Sequence, residues 1–164
     1  MKRLLVLFAL LAAAIGAQAA TTINARTLSL QEQAKTGANI AFDVKYSDFS
    51  TTATNTAETL TFDIAAGKGF HVVYAKVKTE FVGPNGTDSL TLIVGDGDDD
   101  DQFLTTMEMA TESTEVSGKF GTSRADGVFY EAADTIDFKF TPNKENATSG
   151  FTAGVVVIYG ILIE

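Results

Sequence analysis

The chain has 164 residues, enough for one domain with a buried core, and its 45% hydrophobic content excludes wholesale disorder. A formal net charge of −9 disfavours nucleic acid and anionic lipid as partners and favours cations or basic proteins. The chain contains no cysteine, which excludes disulfides, thiolate zinc sites and thiol nucleophiles. It also has no tryptophan, so 12 phenylalanines and 4 tyrosines are the large side chains available to fill a core.

Residues 1–19 read as a leader. Lys2 and Arg3 form a short basic start, residues 4–16 are apolar, and Ala17-Gln18-Ala19 has the small-x-small form of a cleavage site. These are the three regions of a secretory signal peptide, with cleavage expected after Ala19; the alternative is an uncleaved amphipathic or buried helix. The apolar run is shorter than the roughly 20 residues of a bilayer span, so no stable membrane span is expected once it is removed. Residues 20–38 read as an extended N-terminal arm with at most one short turn, because Leu28, Leu30 and Ala34 give only a weak helical spacing.

Alternation then sets in and defines the domain, residues 39–164. Ile40, Phe42, Val44 and Tyr46 share one phase of a predicted strand, and Leu60, Phe62 and Ile64 share one phase of a second. Residues 70–82 form a long third strand with Val73, Ala75, Val77, Thr79 and Phe81 expected inward; Lys76, Lys78 and Glu80 point outward. Gly83-Pro84-Asn85-Gly86 is the strongest turn signal, and Leu90, Leu92 and Val94 follow, so residues 70–94 read as a β-hairpin. An acidic loop comes next. Residues 103–109 suit either a helical turn or a strand, and residues 116–130 suit short strands with tight turns. Ile136, Phe138 and Phe140 mark a further strand that Pro142 is expected to stop. The β-branched run at residues 155–163 reads as a strand buried on both faces. Seven or eight strands without a long amphipathic helix predict an all-β fold: an antiparallel β-sandwich of jelly-roll or Greek-key type.

Candidate chemistry centres on the acidic loop. Asp96, Asp98, Asp99, Asp100 and Asp101 lie within six residues, a density of oxygen ligands that suits Ca²⁺. The spacing mimics the start of an EF-hand loop, but Asp101 stands at the sixth position where glycine is needed and Met107 at the twelfth where glutamate is needed. The loop therefore reads as a solvated connection or as a cation site of another kind. His71 is the sole histidine, and no motif pairs it with a nucleophile such as Ser89. Paired carboxylates for glycoside chemistry lack the sugar-stacking tryptophan that usually accompanies them. Gly95-Asp96-Gly97 leads into acids that would repel phosphate. Asn85-Gly86-Thr87 and Asn146-Ala147-Thr148 fit glycosylation sequons and read as chance matches.

Three stretches carry a resemblance: AKVKTEFVGPNGTDSLTLIVGDGDDDDQFLTT at residues 75–106, GVFYEAADTIDFKFTP at 127–142, and ATSGFTAGVVVIYGILIE at 147–164. In this order they resemble the small jelly-roll proteins encoded in the head-gene regions of tailed bacteriophages. The resemblance covers about residues 60–164 and lies in strand patterns and turn residues. It implies a virion component of head-decoration or fibre type, a homo-oligomer or a partner of the capsid lattice. The leader departs from that family, whose members assemble in the cytoplasm. The expectation is a non-enzymatic structural protein of the virion, with no cofactor beyond a possible Ca²⁺. The alternative is an exported periplasmic or cell-surface binding module.

Overall fold

The structure is a computed structural model that describes residues 21–48, 56–79, 89–111, 120–121, 127–143 and 154–164. The leader, the Gly83–Gly86 turn and both sequons lie outside the described residues. Among the described residues no helix is long and apolar enough to cross a membrane.

The strands are β1 (Thr21–Thr22), β2 (Arg26–Thr27), β3 (Ile40–Lys45), β4 (Glu58–Ile64), β5 (Lys68–Thr79), β6 (Ser89–Asp96), β7 (Leu104–Thr111), β8 (Phe120–Gly121), β9 (Val128–Tyr130), β10 (Asp134–Asn143) and β11 (Val155–Ile163). One helix, α1, spans Leu30–Thr36, and a 3-10 turn spans Tyr46–Asp48. The strands form two sheets. The first runs β1-β4-β10-β6-β7; the second runs β2-β3-β11-β5-β8, with β9 also pairing β5. All pairings are antiparallel except β1 with β4. The pairing is nested: β3 pairs β11, β4 pairs β10, β5 pairs β8 and β9, and β6 pairs β7. This is the all-β, two-sheet sandwich that the alternating pattern predicts.

The inner faces of both sheets meet in one core. Phe42, Phe70, Phe103, Phe138 and Phe140 are fully buried there with Leu60, Leu90, Leu92 and Ile158. Fully burying each such side chain stabilises by about 1.5–3 kcal/mol relative to leaving it in water.

The expected hairpin of residues 70–94 is not formed. β5 lies in the second sheet and β6 in the first, so the chain crosses between sheets there. A turn signal marks a reversal of direction and says nothing about which strand becomes the partner. The hairpin is instead β6–β7, closed by the acidic loop.

The facing of β5 also differs from expectation. Ala75 and Val77 are buried in the core, but at the other end Phe70 and Val72 take that role and Val73 packs on the outer side. Tyr159 lies opposite Tyr74 and Gly160 opposite Val72, which leaves Val73 as an extra residue. One extra residue reverses the facing of everything beyond it. A second register shift sets Thr79 opposite Val155, on the outer side. β7 resolves the ambiguous stretch in the same way. Leu104 and Met107 both face the core at a spacing of three because the ladder shifts between Leu92 and Val94.

Pro142 sits inside β10 rather than ending it. It pairs with Leu90 on one side, and on the other side the last pair with β4 is Phe140 with Glu58. Proline lacks a donor, so it suits a position where one flank of the ladder has already ended.

The arm is not merely extended. Ser29 and Glu32 form a capping box, with the Glu32 carboxylate accepting from the Ser29 backbone N–H at 3.0 Å and Ser29 Oγ accepting from the Glu32 N–H at 3.3 Å. Gly37 closes α1 at φ 73°, a left-handed conformation that glycine adopts without strain. The pull of the Ser29 backbone N–H on the Glu32 carboxylate holds its pKa at about 2. Leu28 and Ala38, on either side of α1, pack with Ala41 and Val157 on the outer face of the second sheet. Asn39 ties this segment down, donating to the Leu162 carbonyl at 2.7 Å and accepting from the Leu162 N–H at 2.8 Å.

Gly160 stands at the β11 irregularity, where an added Cβ would come within 2.9 Å of Phe70 Cε2 and 3.1 Å of the His71 carbonyl. Gly160→Ala is expected to lower unfolding free energy by about 1–3 kcal/mol through overpacking, measured by urea denaturation.

Candidate functional site

The acidic loop is shaped by its first two residues. Gly95 is required by space: a Cβ there would stand 2.0 Å from the Asp99 carbonyl oxygen and 2.3 Å from the Asp100 carbonyl carbon. No side chain fits, so the loop folds back directly over the end of β6. Asp96 then organises it. Its Oδ1 accepts from the Asp98 N–H at 3.1 Å and the Asp99 N–H at 3.0 Å, and its own N–H donates to the Asp99 carbonyl at 3.0 Å. A short acidic side chain bonding to the backbone two or three residues ahead is the natural initiator of such a turn. The loop rejoins the sheet where the Gln102 N–H donates to Asp99 and the Phe103 N–H donates to Val94. The Phe103 ring then enters the core, 5.0 Å from Phe70 and edge-on to it.

The other Asp96 oxygen faces inward. Tyr130 from β9 donates its hydroxyl to Asp96 Oδ2 at 3.0 Å in a buried contact that joins the two sheets. Burial raises the Tyr130 pKa above its ordinary value, and the hydrogen bond to Asp96 raises it further. Tyr130 therefore keeps its proton and donates it throughout the neutral range.

Around this pair the first sheet gathers more carboxylates. Asp137 lies opposite Gly95 in register, and Ile136 opposite Asp96. Asp137 Oδ1 is buried without a hydrogen-bond partner. Burial raises the Asp137 pKa, and repulsion from Asp134, Asp100 and Asp96 adds to it against a hydrogen bond from Thr135. Lys139 pairs with Asp100. Asp134 Oδ1 accepts from the Thr135 N–H at 2.8 Å.

The five loop aspartates thus have different employments. Asp96 is nearly buried and serves the fold, Asp100 is held by Lys139, and Asp99 accepts from the Asp101 N–H at 3.3 Å. Asp98 is exposed and contributes its backbone N–H to the turn. Among the described residues no three histidine, aspartate or glutamate side chains gather in a way that could hold a metal ion. Sequence spacing placed these five together. It missed Tyr130, Asp134, Asp137 and Lys139, which are distant in the chain and meet the loop only through strand register.

His71 lies half-buried on the outer side of β5, opposite Ile161, and its Nδ1 has no hydrogen-bond partner. Ser89 opens β6 in the other sheet.

A cleft of about 410 Å³ lies where the arm crosses from one sheet to the other, lined by Thr22, Asn24, Asp43, Ser47 and Asp48. Asp43 is engaged by Arg26 Nε at 3.4 Å and Lys78 Nζ at 3.8 Å, and Asp48 accepts from the Lys45 N–H at 2.9 Å. Arg26 thereby ties the arm to Asp43 of β3, Asp48 caps the end of β3, and Asp43 Oδ1 is buried without a hydrogen-bond partner.

No family model, curated protein or solved structure matches this chain. The acidic loop is a carboxylate-rich corner fastened to the core at both ends, through Asp96 and Phe103.

Two outcomes test this description. Tyr130→Phe leaves a buried oxygen of Asp96 without its donor and is expected to cost about 1–3 kcal/mol of stability, read from denaturation midpoints. Asp137→Asn removes a carboxyl that binds its proton more tightly in the folded state than in the unfolded one. Between the ordinary carboxyl value of 3.8 and the raised folded value, the native state holds more protons, so this group favours the native state more as pH falls through that window. The stability gain of Asp137→Asn over wild type should accordingly shrink as pH is lowered from about 7 to about 4. A gain that stays constant with pH would contradict the assignment.

Proposed function

We propose that this chain is a non-enzymatic structural protein, a jelly-roll sandwich that acts by packing against other protein chains in the head of a tailed bacteriophage. The observation that carries this reading is the nested pairing of β3 with β11, β4 with β10, β5 with β8 and β9, and β6 with β7. Rolling one long antiparallel ribbon onto itself produces that order, with two sheets and two Greek keys, the arrangement of jelly rolls in viral capsids. The three stretches that resemble phage head proteins coincide with β5 to β7, with β9 and β10, and with β11. Decoration or fibre roles need large contact faces, and the outer faces of a two-sheet sandwich supply them. The net charge of −9 suits contact with basic protein surfaces and not with packaged nucleic acid.

Particles purified on a density gradient are expected to contain the chain with Met1 intact. A chain absent from purified particles, and recovered only as a monomer, would remove the virion reading.

A second reading, an exported binding module, is supported by the leader: Lys2 and Arg3, the apolar residues 4–16 and Ala17-Gln18-Ala19. It requires a mature N-terminus at Ala20 in a periplasmic or secreted fraction. Calcium dependence through Asp96, Asp98, Asp99, Asp100 and Asp101 would show as a higher melting temperature in calcium than in EDTA. With both Asp96 oxygens already accepting hydrogen bonds, an unchanged melting temperature is the outcome the geometry favours.

A further inference from the structure

Tyr74 and Tyr159 stand together on the outer side of the second sheet. They lie opposite each other in register, Tyr74 on β5 and Tyr159 on β11, and Tyr159 packs against the outer cluster of Leu28, Ala38, Ala41 and Val157. The extra residue at Val73 makes the pairing possible. It lets Phe70 and Val72 face the core at one end of β5 while Tyr74 keeps the outward phase of Lys76 and Lys78 at the other. The two rings are stacked, with centroids 4.6 Å apart and planes at 28°. Rings in the core meet differently: Phe42 and Phe62 at 68°, Phe70 and Phe103 at 85°. An edge-on pair sets ring hydrogens against a ring face, whereas a stacked pair sets ring carbons against ring carbons. Both tyrosines are half-buried, so a small solute reaches the pair.

Composition directs one-electron oxidation to tyrosine. Cysteine and tryptophan compete with tyrosine for such an oxidant, and the chain has neither. Four tyrosines remain. Tyr130 is buried on the core side with its hydroxyl bonded to Asp96, and Tyr46 opens the 3-10 turn after β3. Tyr74 and Tyr159 are in contact before any radical forms.

We propose that Tyr74 and Tyr159 are an oxidative cross-linking site, where a one-electron oxidant joins the two rings as dityrosine and ties β5 to β11 covalently. Each phenol loses one electron to the oxidant and one proton to solvent. Burial, and then the neighbouring Tyr159, raise the Tyr74 pKa, so its proton is still in place to be lost. The two phenoxyl radicals couple through ring carbons ortho to oxygen and form one carbon–carbon bond. Hydrogen then moves from each coupled carbon to its oxygen and restores both rings, which leaves the chain lighter by two hydrogens. Directly opposite positions on adjacent strands have Cβ atoms about 4.5–5.5 Å apart, within the span of such a link. Contact before oxidation makes the coupling intramolecular, which favours this pair over tyrosines that must first diffuse together. Such a tie suits a virion protein and an exported module equally, since both work outside the reducing cytoplasm.

Photo-excited ruthenium tris-bipyridine with persulfate supplies the oxidant to the full chain; persulfate takes the two electrons and leaves as two sulfates. The expected product is a single chain lighter by two hydrogens, with the blue fluorescence of dityrosine. Trypsin should release from it a linked pair of peptides that hold Tyr74 and Tyr159. The yield should not depend on chain concentration. Tyr74→Phe and Tyr159→Phe keep a ring in the stack and remove the phenol. Each is expected to lower the intramolecular yield about tenfold or more with an unchanged circular dichroism spectrum, whereas Tyr46→Phe leaves the yield as it is. Wild type that gives no linked pair under conditions that couple free tyrosine overturns the proposal. A link that survives Tyr74→Phe, or one that forms only between chains, overturns it as well.

Discussion

Phe42 joins the two sheets, and the rest of the molecule is arranged around that contact. It rises from β3 in the second sheet and meets Phe62 and Phe138 of the first at ring separations of 5.1 and 4.8 Å. Within its own sheet it faces Phe70 at 6.0 Å, and Phe70 in turn meets Phe103 at 5.0 Å. Edge-on pairs of this kind add about 0.5–1.5 kcal/mol each beyond the area they bury. In a chain without disulfides, this line of rings is the main tie between layers. It also reaches the acidic corner, because Phe103 is the residue on which the loop returns to the sheet.

That corner shows how a carboxylate can be structural. Asp96 satisfies three donors, two from the loop backbone and one from Tyr130, so its charge is surrounded by hydrogen bonds. Asp137 is less well served, with one buried oxygen unpartnered beside three other acids. The local excess of negative charge is the electrostatic cost of placing β10 and the loop against each other, and Lys139 offsets part of it through Asp100. The opposite outer face has the reverse character. Its middle strand is apolar throughout, the capped α1 segment covers one part, and Phe129 and Ile163 remain in water at the other. The first sheet is thus acidic at its loop end, and the second carries an apolar middle strand between flanking strands that bear charges such as Asp43 and Lys78.

Strand existence was legible from alternation. Ile40, Phe42 and Val44, Leu60 and Ile64, and Ile136, Phe138 and Phe140 all face the core as their spacing requires. Alternation does not reveal α1 although its punctuation is present: Ser29 three residues before Glu32, with Gly37 beyond, is a start and a stop whose apolar spacing is weak because α1 buries none of its own residues. A period-two rule has no place for an extra residue, so it turns Val73 inward and gives Leu104 and Met107 a helical spacing. The bulges that cause both arise from packing between strands distant in the chain.

By itself, then, the sequence determined what depends on near neighbours: an all-β body, the approximate strands, the absence of covalent ties, and an acidic turn after Val94. Only the tertiary structure decided which strands pair. β5 and β6 are consecutive and look like a hairpin, yet they take opposite sheets because each buries its apolar face against the other layer. Only it decided, too, that Asp96 is bound by Tyr130, 34 residues away, and is not left free for a ligand. The physical reason is the same in both cases. Alternation and turn chemistry are local, whereas the partner of a strand or a buried carboxylate is selected by the packing of the whole core.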